Sequence, residues 1–109
     1  MKISDAHDAI NDIYRNAKPF AQAKANRIYC EQFLKSQKAL LMAQSPAKSA
    51  VEREQFAYSH PEYVQIIDAL KEAVLTEEEL RWKMVAAQAR VEVIRSEEAS
   101  ARLMDRVTQ

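Results

Sequence analysis

Glycine is absent from this chain of 109 residues, and cysteine occurs once. Average usage of ~7% would supply roughly seven or eight glycines, so the permissive backbone positions that many sites depend on are missing. That excludes a Gly-rich phosphate loop, a dinucleotide fingerprint and a nucleophile elbow. A lone Cys30 can form no internal disulfide and has no second cysteine for a zinc site, so it reads as a small helix residue in a reducing compartment. No window approaches the ~18 uninterrupted apolar residues of a membrane span. The opening Met1–Asp5 also lacks the apolar stretch of an export signal, and together these lead us to expect a cytoplasmic protein with no membrane partner. An excess of charge of either sign is missing too: 16 basic residues balance 16 acidic ones, which excludes a globally cationic binder of nucleic acid.

What remains is helix-forming composition. Alanine is abundant, Leu, Glu, Lys, Gln, Arg and Met fill most other positions, and no strand alternation occurs. The three prolines supply the punctuation. Lys18-Pro19 disfavours helical geometry at Lys18, Ser45-Pro46 has the form of an N-cap followed by proline at the first helical position, and His60-Pro61 marks a third boundary. Ser59 with Glu62 three residues on has the form of a capping box at that boundary. The expected fold is therefore all-α, a single helical domain over 1–109 with helices at about 4–17, 19–44, 46–58 and 61–107. Proline spacing leaves two readings of 46–58, a separate helix or a kinked continuation into the last one.

The last helix dominates the reading. At ~1.5 Å per residue it spans on the order of 70 Å, far beyond the ~13 Å radius of gyration of a compact domain this size, so an elongated molecule is expected. Tyr63, Ile66, Leu70, Ala73, Leu80, Met84, Ala87, Val91, Ile94 and Ala101 occupy successive a and d positions of a heptad, with Glu77 and Glu98 the interruptions. Seam carboxylates of this kind would fix register by pairing with basic residues. A second apolar face carries Leu75, Trp82, Val85, Ala86, Ala89 and Val93, extended by Leu103, Met104 and Val107. Two apolar faces require two partners. One is expected to be the chain's own 19–44 helix, folded back through 45–60 and presenting Ala25, Ile28, Tyr29, Phe33, Leu40 and Leu41. The other is expected to be a second copy, giving a coiled-coil-like homo-oligomer, a dimer or higher, for which the periodicity suits parallel and antiparallel arrangements equally. A further short seam, Ile3, Ala6, Ile10, Ile13, Ala17 and Phe20, would dock across either.

Charge is distributed unevenly along the chain. Between Arg15 and Lys48 the basic Arg15, Lys18, Lys24, Arg27, Lys35, Lys38 and Lys48 face only Glu31, while an acidic block at 62–79 outweighs Lys71. A hairpin would lay one run against the other, setting orientation more than stability because exposed pairs contribute only ~0–1 kcal/mol each. On the long helix Arg81, Arg95 and Arg102 recur at multiples of seven, with Lys83, Arg90 and Arg106 nearby. Such arginines flank a coiled-coil seam and pair with Glu92, Glu97 and Glu98, or alternatively track a phosphate backbone while Trp82 or Tyr63 stacks on an unpaired base.

Enzymatic signals are weak. His7 with Asp5 and Asp8 diverges around a helix and does not converge on a metal. Consecutive Glu77, Glu78 and Glu79 diverge by ~100° per residue, so they cannot meet on one substrate atom. His60 beside Pro61 reads as a boundary residue before it reads as a general base. No catalytic residues, no metal and no cofactor are expected.

Residues 79–93, Glu-Leu-Arg-Trp-Lys-Met-Val-Ala-Ala-Gln-Ala-Arg-Val-Glu-Val, followed by Arg95-Ser96-Glu97-Glu98-Ala99-Ser100, resemble a segment of small helical proteins of tailed phages and prophages. The resemblance covers about residues 60–109 and brings no catalytic residues. Proteins of that group tend to lie among early genes, often with DNA recombination functions, so the resemblance implies a host-cell cytoplasmic setting in phage DNA metabolism. The expected function is a non-enzymatic, homo-oligomeric coiled-coil factor that binds another protein as an accessory or inhibitor. The alternative is a single-strand nucleic-acid-binding recombination accessory using Arg81, Lys83, Arg90, Arg95 and Arg102.

Overall fold

The computed structural model describes residues 3–108, with side chains from residue 5. Three helices account for it: α1, Ile3–Gln44; α2, Ala50–Ser59; and α3, Pro61–Thr108. Among the described residues only 45–49 and His60 lie outside helices, and no strand occurs. The fold is all-α, with one very long C-terminal helix, as the composition predicts.

The first correction concerns Pro19. The expected break between 4–17 and 19–44 does not occur, and α1 runs through the proline as one helix. Proline removes one backbone hydrogen bond and crowds the preceding turn, at a cost of ~3 kcal/mol in a helix interior. Here the ring sits on the exposed side. Less exposed residues continue on either side of it with spacings of three and four: Ala6, Ala9, Ile13, Asn16, Phe20 and Ala23, then Arg27, Cys30, Leu34, Gln37 and Leu41. One uninterrupted heptad stripe on α1 therefore replaces the two separate faces expected from sequence. Ala25, Ile28, Tyr29, Phe33 and Leu40, expected to line the contact, are exposed, as are Ile10 and Ala17; Leu41 alone of the expected 19–44 face is buried. The side chain of Ile3 lies outside the described residues.

The second correction concerns caps. Ser45-Pro46 does not open a helix; Ser45 Oγ accepts the Ala47 N–H at 3.2 Å and holds a turn, and Arg53 Nε closes the loop by donating to the Ala47 carbonyl at 2.8 Å. The N-cap of α2 is Ser49, whose side chain accepts the Glu52 N–H. At the next boundary Ser59 is not the cap, because its hydroxyl donates back to the Gln55 and Phe56 carbonyls. His60 takes both roles: its N–H bonds the Ala57 carbonyl at the end of α2, and its Nδ1 accepts the Glu62 N–H at 3.2 Å at the start of α3. Pro61 then occupies the first helical position, where no N–H is needed.

Contacts group the chain into two compact units. One, Gln22–Glu78, contains the turn end of the fold: the C-terminal half of α1, all of α2 and the start of α3. Leu41 and Ala57 are fully buried there, Tyr58 meets Tyr63 edge to face at 5.3 Å, and Lys38 lies 3.7 Å from Glu54 and 4.9 Å from the Tyr58 ring centre. The other joins the residues up to Ala21 to those from Glu79 onward. Its two helical segments run antiparallel, with Asp12 reaching Arg90 at 3.4 Å and Ala6 sharing a recess with Glu98.

Replacing Pro19 with alanine restores the missing backbone bond at an exposed position and is expected to raise stability by about 2 kcal/mol. Urea denaturation followed by circular dichroism measures this; a lower midpoint for Pro19→Ala would show that the proline geometry is required.

Candidate interaction surfaces

The a and d residues of α3 sort by exposure as a seam should. Tyr63, Ile66 and Leu70 in the turn-end unit, and Leu80, Met84 and Val91 in the other, are all half-buried, while Ile94 is buried. In both units α1 of the same chain lies along this stripe, meeting it through Arg27 at Glu77 and Asp12 at Arg90, and Tyr63 also meets Tyr58 of α2. In the terminal unit the antiparallel register is marked by Asp12 at Arg90, by Asn16 sharing a groove with Ala87, and by Ala6 sharing a recess with Ile94.

Glu77 sits in this seam and is only 8% exposed, which for a carboxylate requires a partner. Arg27, from the matching stripe of α1, donates through Nε to one carboxylate oxygen and through Nη2 to the other at 3.1 Å, in the two-pronged geometry that suits a guanidinium. Its Nη1 also donates to Glu31 one turn away at 3.0 Å. Hydrogen bonding to Glu77 first, and to Glu31 second, holds the Arg27 proton affinity above its ordinary value. Lys38 is raised in the same direction, by Tyr58 first and then, against a desolvation penalty, by Glu54. No buried side-chain polar atom among the described residues lacks a partner. Glu98, the other seam carboxylate, is exposed.

The outer face is different. Trp82, Val85, Ala89 and Val93 of the terminal unit are exposed, and Leu75 of the turn-end unit is exposed as well. Trp82 is 59% exposed, with the Arg81 guanidinium 4.6 Å from its ring centre. From Arg95 to Thr108, α3 is exposed on every side, so that Leu103, Met104 and Val107 meet solvent, the last at 73%.

The basic residues divide into two sets. Arg81, Arg95 and Arg102 share one heptad position, whereas Lys83 and Arg90 share another, roughly 160° away across the seam at ~100° per residue. Lys83 and Arg90 join Arg15, Asp12 and Asn16 around a shallow open groove, with Arg90 paired to Asp12. Arg95 bonds Glu92 at 3.2 Å on its own helix. The five basic residues therefore form two flanks and not one continuous stripe. Among the described residues no group of three His, Cys, Asp or Glu side chains is placed to hold a metal, and no helix is long and apolar enough to cross a membrane.

No protein-family model matches this chain, and no curated protein or solved structure matches it either.

Heptad spacing picks out the half-buried residues of α3 and the exposed row opposite, and of the α1 stripe it picks out Ala6, Ile13, Phe20 and Leu41 but not Asn16, Arg27 or Gln37, which belong to it without being apolar. Counting threes and fours straight through Pro19 recovers it. The charged pair gives a test. Glu77→Ala strands Arg27 in the seam and lowers the urea midpoint, whereas Arg27→Leu combined with Glu77→Leu recovers much of the loss. A double variant less stable than Glu77→Ala would contradict this account.

Proposed function

We propose that the protein is a non-enzymatic, homo-oligomeric helical interaction factor, working through the outer face of α3. The observation that carries this reading is that the inner stripe of α3 is covered by α1 while Trp82, Val93, Leu103 and Val107 are left in water on the same helix. An uncharged row carrying exposed large apolar residues marks a contact surface, and residues 95–108, exposed all round, make a helix that gains little stability from its own chain. Resemblance to helical proteins of tailed phages favours a role as an accessory or inhibitor in phage DNA metabolism in the host-cell cytoplasm.

Binding of single-stranded nucleic acid is the second reading, favoured by Arg15, Lys83 and Arg90 around one open groove. It is the weaker of the two, since Arg90 is paired with Asp12 and Arg95 with Glu92.

Light scattering on a sizing column separates them. The first reading requires at least twice the 12.5 kDa chain mass, unchanged by a short single-stranded oligonucleotide. A mass increase that requires the oligonucleotide and fades with salt supports the second. Variants sharpen the result: Val93→Asp with Leu103→Asp should give a folded monomer, while Leu80→Asp with Met84→Asp, in the covered seam, should lose helicity. Wild-type mass in the first variant would remove the outer face from the assembly.

A further inference from the structure

Resting on that reading of the outer face, we infer that its occupant is a second copy of the chain, docked antiparallel along residues 82–107 of α3 about a two-fold axis between Ile94 and Arg95. Steps of four and three from Trp82 to Val107 visit only uncharged residues, all of them exposed. Those positions lie on the side of α3 turned away from its covered seam. The helix thus carries a second heptad stripe through its last four heptads, and the size and charge of the residues along it decide orientation.

In the antiparallel arrangement three of the four kinds of layer set a larger side chain against a smaller one, and the fourth sets two small ones together. Trp82 faces Val107, Ala86 faces Leu103, Ala89 faces Ser100 and Val93 faces Ser96, each layer occurring twice by symmetry. A parallel pair would stack Trp82 on Trp82 and leave Ser96 and Ser100 facing themselves, wasting the little volume available.

Flanking charges agree. On one edge of this stripe stand Lys83, Arg90, Glu97 and Met104; on the other, Val85, Glu92, Ala99 and Arg106. Antiparallel docking brings Arg90 beside Glu97 of the other copy twice and Lys83 beside Met104, with no like-charge pair on either edge. Parallel docking brings Glu92 against Glu97 twice. Arg90 can serve both neighbours, because its Nη1 meets Asp12 while a guanidinium presents five donors in all.

The decisive experiment uses the full chain with Cys30→Ala, carrying either Ala89→Cys or Ser100→Cys. Antiparallel docking places residue 89 level with residue 100 of the other copy and keeps the two copies of residue 89 some ~16 Å apart along the axis. Oxidising an equal mixture should therefore give the mixed 89–100 disulfide, several-fold more than either protein linked to itself, read by intact mass. Predominant self-linked dimers would mean a parallel pair and overturn the inference. A particle of dimer mass in which neither disulfide forms would place the contact elsewhere, overturning the inference but leaving self-association intact. A 12.5 kDa monomer throughout would overturn both. Glu97→Arg gives an independent readout that needs no cysteine. It should weaken dimerisation on the order of tenfold with helicity unchanged, whereas in a parallel pair it would strengthen dimerisation by relieving Glu92.

Discussion

Two matched stripes of residues spaced three and four apart, one on α1 and one on α3, hold this protein together. Its buried apolar side chains are mostly alanine, with Ala9, Ala23, Ala57 and Ala87 beside Ile94 and Leu41. Small residues let helices approach closely but remove little apolar surface from water, so each layer contributes modestly and length supplies the total. Leu41 is the one large side chain among the described residues that is fully enclosed, and it lies at the turn end, where α2 adds a third helix. With so thin a core, one misaligned heptad would cost little in apolar burial. Arg27 and Glu77 penalise that slip, because a shifted register leaves a charge in the seam without its partner.

That economy accounts for the surface. A helix used on one side by its own chain has further sides to offer, and α3 distributes them: apolar residues opposite the seam, basic residues along both flanks. The flanks are partly occupied by local pairs such as Arg95 with Glu92, whereas Trp82 and Leu103 stay largely in water. The apolar side therefore has the stronger claim as the working face.

Legibility followed chemistry. The α3 seam could be read because Ile66, Leu70, Leu80, Met84, Val91 and Ile94 are apolar at regular spacing. The α1 stripe could not be read in the same way, since Arg27 and Gln37 belong to it by position and not by character. Pro19 has an unfavourable local cost that packing on both sides outweighs, and only tertiary structure reports that balance. Ser45, Ser49 and Ser59 are equally good cap residues on paper; one holds a turn, one caps and one bonds backward, and the difference is set by where the preceding chain lies. The outer face was visible as a pattern, yet a pattern of apolar residues specifies a need for cover and not the identity of what covers it.

The chain has a single tryptophan, and the structure sets it on the outer face at 59% exposure, with a guanidinium over its ring. Intrinsic emission from this protein is consequently a report from the periphery. In the lone chain it would start red-shifted, and it would be nearly blind to loosening of the alanine-lined interior. It would turn blue when something dry settles over α3, so the fluorophore is placed to gauge occupancy where in most small domains it gauges folding.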